Sequence, residues 1–307
     1  MPASPPSEVS EQHAGHQTRT LWADAWYRLK RNKLALVSIA WIMIVVVSTV
    51  SADLWVPGNF GSPTEINTQT ASAERLRSPS AEHPMGTDDL GRDIFARVVY
   101  GARISLAVGV LAVTVSVIIG LILGAFSGFY GGWPDTIIMR VTDIFLAFPY
   151  ILFAILLLAV IPPEYRGLIS MVGTIGLLGW TSIARVFRSS ILTVKENDYV
   201  DAGRALGASD LRLMLRHIMP NAVAPIIVYA TMSIGGAILT EAALSFLGLG
   251  VPPPTPSWGR MIEDGRAFLT SNPGLIIWPG LAILSTVLAF TLLGDGVRDA
   301  LDVKMKD

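Results

Sequence analysis

The side chains that could do chemistry are thinly spread in this chain, and their spacing does not assemble a catalyst. Asp88, Asp89, Arg92 and Asp93 form the densest group and could offer oxygen ligands to a cation. Their spacing does not fit an EF-hand loop, and the arginines nearby oppose a metal, so a loop folded through its own salt bridges is expected. Arg140 and Asp143 lie three apart near the end of an apolar run and read as a local ion pair. Glu241 lies about twenty residues into another such run, where packing or capping is as good a reading as contact with a substrate. Two of the four histidines fall in the first twenty residues and the others are His83 and His217, so no pair has ligand spacing. With no cysteine there is no disulfide framework, thiolate metal site or thiol nucleophile. A glycine-rich phosphate loop ending in Lys-Ser or Lys-Thr is also absent, so the chain by itself is not expected to hydrolyse a nucleotide.

The elements that must position these residues are membrane helices. Of 307 residues 51% are hydrophobic and 15% charged, with a mean hydropathy of +0.52, against about 25% charged in soluble globular domains. A helix needs about 20 mainly apolar residues to cross the hydrocarbon core, because its backbone groups must be satisfied within the segment. Six stretches qualify, approximately Leu34 to Ala52, Ile104 to Phe126, Ile137 to Ile161, Leu168 to Phe187, Ala222 to Leu247 and Leu275 to Leu293. The third carries Arg140 and Asp143 and the fifth carries Glu241, which makes them the least clean. Arg28, Lys30, Arg31 and Lys33 stand directly before the first span and predict a cytoplasmic amino terminus. Six spans return the carboxyl terminus to the same side, together with Arg185, Arg188, Lys195, Arg204, Arg212 and Arg216 and the terminal Arg298, Lys304 and Lys306.

Composition divides the chain further. Residues 1–20, rich in Pro, Ser, Glu and Gln, predict a disordered cytoplasmic tail with no signal-peptide run. Residues 21–103 hold the first span and the largest external loop, and residues 104–307 hold the remaining transmembrane domain. Within the external segment, Ile94 to Arg103 has apolar residues at helical spacing and is expected to lie along the outer surface or cap the second span, with Arg97 and Arg103 at the water boundary. Pro252, Pro253, Pro254 and Pro256 stiffen the last external loop. Trp41, Trp55, Trp133, Trp180 and Trp278 suit interfacial belts and helix packing, while Gly109, Gly120, Gly124, Gly173, Gly176, Gly235 and Gly236 allow close helix contact.

The most patterned polar segment runs from about residue 189 to 221, between the fourth and fifth spans. Asp198 to Leu206 can form one helix, Gly207 supplies a positive φ to end it, and Ser209 or Asp210 can cap a second. Pro220 then interrupts the second helix where the fifth span begins. The expected product is a helix, turn, helix elbow, compact enough to dock in a cleft of another protein and stiff enough to push on the spans at both sides. The plainer alternative is an amphipathic helix at the lipid surface with its basic residues toward headgroups.

On these residues the sequence resembles the inner-membrane permease subunits of binding-protein-dependent ABC importers. Their signature is Glu-Ala-Ala, three residues, Gly, nine residues, Ile, one residue, Leu-Pro. Here Asp201, Ala202 and Gly203 stand in the triplet, followed by Arg204, Ala205 and Leu206, with Gly207 on the glycine and Pro220 on the proline. Asp replaces Glu, Gly203 replaces the second Ala, His217 takes the Ile position and Met219 the Leu. Gly203 costs roughly 1 kcal/mol of helix propensity and is expected to soften the elbow. Gly86 to Asp93, Tyr100 to Leu106, Glu241 to Gly250, Ser257 to Gly259 and Leu293 to Asp302 narrow the resemblance to the C-type subunit of the dipeptide, oligopeptide and nickel importers.

The resemblance implies an all-α membrane protein with six transmembrane helices and the type I ABC importer permease fold, resident in the bacterial inner membrane. It implies half of a pore shared with a homologous B-type permease, two cytoplasmic ATPase subunits that bind ATP and Mg and grip Asp201 to Gly207, and an external substrate-binding protein. Asp88, Asp89, Arg92, Asp93 and Trp258 are its expected contacts with the binding protein or an external gate. No cofactor is expected in this chain, and its surroundings are membrane lipid and protein rather than nucleic acid. Di- or oligopeptides are the expected cargo; nickel chelates, glutathione and oligosaccharides are alternatives on the same machinery. A secondary transporter would call for discontinuous spans with buried ionisable groups at the midplane. A membrane-embedded enzyme would call for clustered catalytic side chains at depth, and the spans hold no His, Cys or paired carboxylates.

Overall fold

The structure, a computed structural model, describes residues 21–62, 64 and 74–302. The expected tail at 1–20, Lys304 and Lys306 lie outside them. Helices make up the described fold: α1 (Leu21–Leu29), α2 (Lys33–Val50), α3 (Ala52–Phe60), α4 (Ile94–Tyr130), α5 (Gly132–Ala147), α6 (Tyr150–Val160), α7 (Leu168–Lys195), α8 (Asp198–Ala205), α9 (Asp210–Leu213), α10 (Met219–Ala222), α11 (Ala224–Phe246), α12 (Trp258–Gly265) and α13 (Gly274–Leu301). No strand occurs among the described residues. Five helices, α2, α4, α7, α11 and α13, are long and apolar enough to cross a membrane, and six crossings result if α5 and α6 count as one.

Two of the expected spans differ from a plain rod. The third is α5 and α6, bent by 89° at Phe148 and Pro149. Phe148 is extended (φ −91°, ψ 139°), the conformation that a following proline imposes, and Pro149 has no N–H with which to continue the helix. The second is longer than expected, because Ile94 to Arg103 does not lie apart on the surface but begins α4, a single helix of 37 residues. Asp93 starts it: the side chain is the N-cap and accepts from Ala96 N at 2.7 Å. The arginines that suggested a water boundary are spent on neighbours. Arg103 donates to the Thr49 carbonyl of α2 at 2.8 Å and pairs with Asp53 of α3 at 2.9 Å.

The central pairing is α4 against α7. Gly120, Gly124 and Gly128 fall at successive turns of α4, and a Cβ on Gly124 would stand 2.7 Å from the Ala184 carbonyl oxygen. At Gly120 it would meet the Ile183 side chain at 2.6 Å, and at Gly128 the Ile191 side chain at 2.9 Å. Between helices in lipid there is no hydrophobic drive, so such close van der Waals approach is what holds them. Gly109 and Gly176 make the same kind of contact, with Ile238 and with Val115 and the Ala112 carbonyl. Gly235 faces Val287, whereas Gly173 and Gly236 face open space and are not part of any seam. α13 closes the bundle against α11 and α2, with Gly296 opposite Ala35, and Arg28 of α1 donates to the Asp302 carbonyl at 2.8 Å. The end of α13 and the start of α2 therefore lie on one side.

Candidate functional site

The polar insert folds as the elbow that its residues predict. α8 ends in a paired-bond turn: Ala208 N donates to the Gly203 carbonyl at 3.1 Å and Gly207 N to the Arg204 carbonyl at 2.9 Å. That pattern places the residue after the cap in left-handed space, and Gly207 has φ +81°. Ser209 is extended (φ −67°, ψ 152°) at the start of α9, although its side chain makes no capping bond. The second arm departs from a regular helix earlier than Pro220 alone would require: Met214–Ile218 forms a π-helical turn, and Asn221 Nδ2 donates to the His217 carbonyl at 2.7 Å. A proline leaves the carbonyl four residues back without its usual donor, and the widened turn before it absorbs the mismatch.

The arm is anchored by residues that the motif does not contain. Val200, Leu213, Met214 and Ile218 are buried in a cluster with Ala125 and Phe129 of α4, Ile183, Phe187 and Ile191 of α7, and Ala222 and Ile226. Their signal was present in the sequence as apolar residues on one side of a polar insert. At Gly203 a Cβ would lie 2.8 Å from Leu213 Cδ2, so the glycine lets α8 settle on α9. What remains outside is Asp201, Ala202, Arg204, Ala205, Leu206 and Gly207, with Leu206 89% exposed. Asp201 and Arg204 form an exposed pair at 3.3 Å, of the kind worth at most about 1 kcal/mol.

Below the elbow, charged groups bind the ends of α4, α5 and α7 together. Arg188 makes a two-pronged pair with Asp135 (2.5 and 2.6 Å), which also accepts from Ser127, and Lys195 donates to the Phe129 carbonyl at 2.5 Å. Asp143 pairs with Arg185 of α7 at 2.7 Å rather than with Arg140, which corrects the expected local pair. A partner brought in by tertiary packing displaces the one three residues away.

At the opposite end, the acidic loop is folded through its own salt bridges. Asp88 Oδ1 accepts from Leu90 N and Arg92 N, both at 2.9 Å, and Asp88 Oδ2 pairs with Arg92 at 2.8 Å and with Arg97 at 3.4 Å. Arg97 reaches Asp264 of α12 at 3.2 Å, and Asp264 also pairs with Arg260 at 2.9 Å. His83 Nδ1 lies 2.9 Å from Asp93 Oδ2. Burial pushes the Asp93 carboxyl up, and burial followed by the Asp88 charge pushes Asp89 up. Asp88, Arg92 and Asp93 are buried here, leaving Leu90 exposed and Asp89 half-buried beside it. Among the described residues no group of three His, Cys, Asp or Glu is placed to hold a metal.

Trp258 is 1% exposed and wedged between α4 and α11. Its indole donates to the Val98 carbonyl at 2.9 Å, its ring covers Gly101, and a Cβ on the next residue, Gly259, would stand 2.5 Å from Ala242 Cα and 2.9 Å from Ser245 Cβ. Beside it, Glu241 is fully buried and accepts from Ser105 Oγ at 2.9 Å and Ser245 Oγ at 2.7 Å, while Ser105 Oγ accepts from Trp258 N at 3.3 Å. Glu241 therefore packs α4, α11 and α12 together and does not face a pathway.

With this geometry in hand, the comparisons with known proteins agree along the chain. Residues 116–307 match the family model for the binding-protein-dependent transport system inner membrane component, and residues 20–79 match the N-terminal TM domain of oligopeptide transport permease C. The chain is 42% identical over 305 residues to the dipeptide transport system permease protein DppC of Alkalihalophilus pseudofirmus, covering 99% of this chain and 95% of that one. It is 42% identical to the oligopeptide transport system permease protein OppC of Bacillus subtilis (94% and 91% covered). Against the glutathione transport system permease protein GsiD of Escherichia coli O6:K15:H31 it is 41% identical (94% and 93% covered). Among solved structures, the inward-facing MetNI methionine ABC transporter superposes with a TM-score of 0.55 at 17% identity, covering 66% of this chain and 96% of that chain, a likeness of fold.

Proposed function

The chain belongs to the binding-protein-dependent inner membrane components, in the C-type permease branch, and on that premise we propose that it forms one half of the translocation pore of an ATP-driven importer of di- or oligopeptides. It is a multi-pass, non-catalytic subunit of the bacterial cytoplasmic membrane. Its partners are a homologous B-type permease, two cytoplasmic ATPases that bind ATP and Mg, and an external binding protein. Both termini and the elbow face the cytoplasm, and Asp89 and Leu90 stand where the binding protein approaches. A relative that transports glutathione at nearly the same identity keeps small anionic peptides within the cargo range.

The observation that carries the reading is the elbow itself. Asp201, Ala202 and Arg204 to Gly207 are exposed while Val200, Leu213 and Ile218 are locked into the core of α4 and α7. A cleft closing on the exposed arm moves the spans with it, since no flexible segment intervenes. The chain has no cysteine, so Leu206→Cys gives a single labelling site. In cells holding the whole assembly, a bifunctional thiol reagent on that residue should capture the ATPase subunit. Modification by a membrane-impermeant thiol reagent added outside the cell would reverse the topology and overturn the docking. Mass spectrometry of ligand carried by the co-purified binding protein should find peptides, and a metal chelate or sugar in their place would overturn the cargo.

A further inference from the structure

Two cavities lie in line along a groove between α7 and α11, one of about 260 Å³ and one of about 450 Å³. On α7 the lining residues Ser182, Val186, Ser189 and Thr193 recur every three or four positions, and on α11 so do Pro225, Tyr229, Ser233, Gly236 and Thr240. Each set is one helical face, so the cavities are stretches of a single track. From Pro225 to Thr240 the track is about 22 Å long, room for about six extended residues. No residue lining either cavity is charged. The cations within this stretch of α7 are paired, Arg185 with Asp143 and Arg188 with Asp135.

The hydroxyls are of two kinds. Ser233, Thr240 and Thr193 donate to the carbonyl four residues back, at 2.7, 2.9 and 3.1 Å, and so turn acceptor lone pairs to the groove. The hydroxyls of Ser182, Ser189 and Tyr229 have no hydrogen-bond partner among the described residues and are available as donors. A wall that alternates acceptors and donors matches the N–H and C=O groups of a peptide backbone and is blind to side-chain charge. A polar row on a membrane-length helix belongs on an aqueous or protein-lined face, not in lipid.

We propose that this α7–α11 groove is the track along which this chain passes its cargo, and that the neutrality of its hydroxyl rows lets peptides of either net charge through. The inference rests on the peptide-importer reading above. Its test uses the assembly of this chain with its partner subunits in cells, measuring uptake of a glutamate-rich and a lysine-rich tripeptide of equal length. Ser233→Asp should slow the acidic peptide relative to the basic one by about fivefold, the scale of one like-charge contact at about 4 Å across a water-filled groove. Ser233→Lys should reverse the preference. Loss of folding cannot produce opposite shifts. Where a charge at Ser233 prevents assembly, Ser189→Asp and Ser189→Lys, nearer the end of α7, carry the same comparison. Parallel changes for both peptides at both positions, or none, would overturn the track. Failure of the unaltered assembly to import either peptide would instead overturn the peptide reading.

Discussion

Gly207 gives the sharpest test of the elbow. Its φ is +81° and nothing lies within 4 Å of an added Cβ, so a substitution there meets no steric neighbour and the whole cost is in the backbone. For an ordinary L-residue that cost is about 1–2 kcal/mol, which reduces the population of the native bend about 5- to 30-fold. Val raises it further through its branched Cβ, while Asn tolerates left-handed space. A series of Gly207→Asn, Gly207→Ala and Gly207→Val should therefore lower ATP-coupled peptide uptake in that order, with membrane levels of the chain unchanged because Val200, Leu213 and Ile218 still anchor the arm. Uptake and cargo-stimulated ATP hydrolysis in reconstituted vesicles measure the effect. Equal activity for the Asn and Val variants would refute the dependence on this turn.

Glu241→Leu removes the acceptor of Ser105 and Ser245, and each buried hydroxyl left without a partner costs about 1–3 kcal/mol. Thermal unfolding of the detergent-solubilised chain should show a clear fall in Tm, with a smaller one for Glu241→Gln. Asp53 is held below the ordinary carboxylate range by hydrogen bonds from Arg103 and then Tyr100. A depressed folded-state pKa stabilises above the unfolded value and loses that stabilisation as pH falls through the folded one. The Tm difference between the unaltered chain and Asp53→Asn should accordingly be constant near neutrality and vanish in acid; a difference that grows on acidification would show that the sign is wrong.

Much of this architecture is written in local pattern. Apolar runs mark every crossing, and Asp201 to Gly207 with Pro220 marks the elbow, because a glycine at a positive φ and a helix-breaking proline act within a few residues. What escaped is non-local. Asp143 finds Arg185 only when α5 meets α7, and Arg97 and Arg103 stop marking a water boundary once Asp88, Asp264 and Asp53 reach them. The break at Phe148 and Pro149 was within reach, since a residue before proline avoids helix, but the unbroken hydropathy around it hid the signal. Gly128 completes the seam with α7, whereas Gly173 and Gly236 look the same in sequence and touch nothing.

The glycine seam sets the mechanics of the whole molecule. With backbone laid almost on backbone at Gly120, Gly124 and Gly128, there is no soft layer of side chains in which one helix can shear past the other. α4 and α7 must tilt as a single beam. α7 has 28 residues and is thus about 42 Å long. A rotation of about 5° at its elbow end swings the far end by roughly 4 Å on that length. A modest angular input at one face of the bilayer is enough to displace a wall at the other by the width of a side chain.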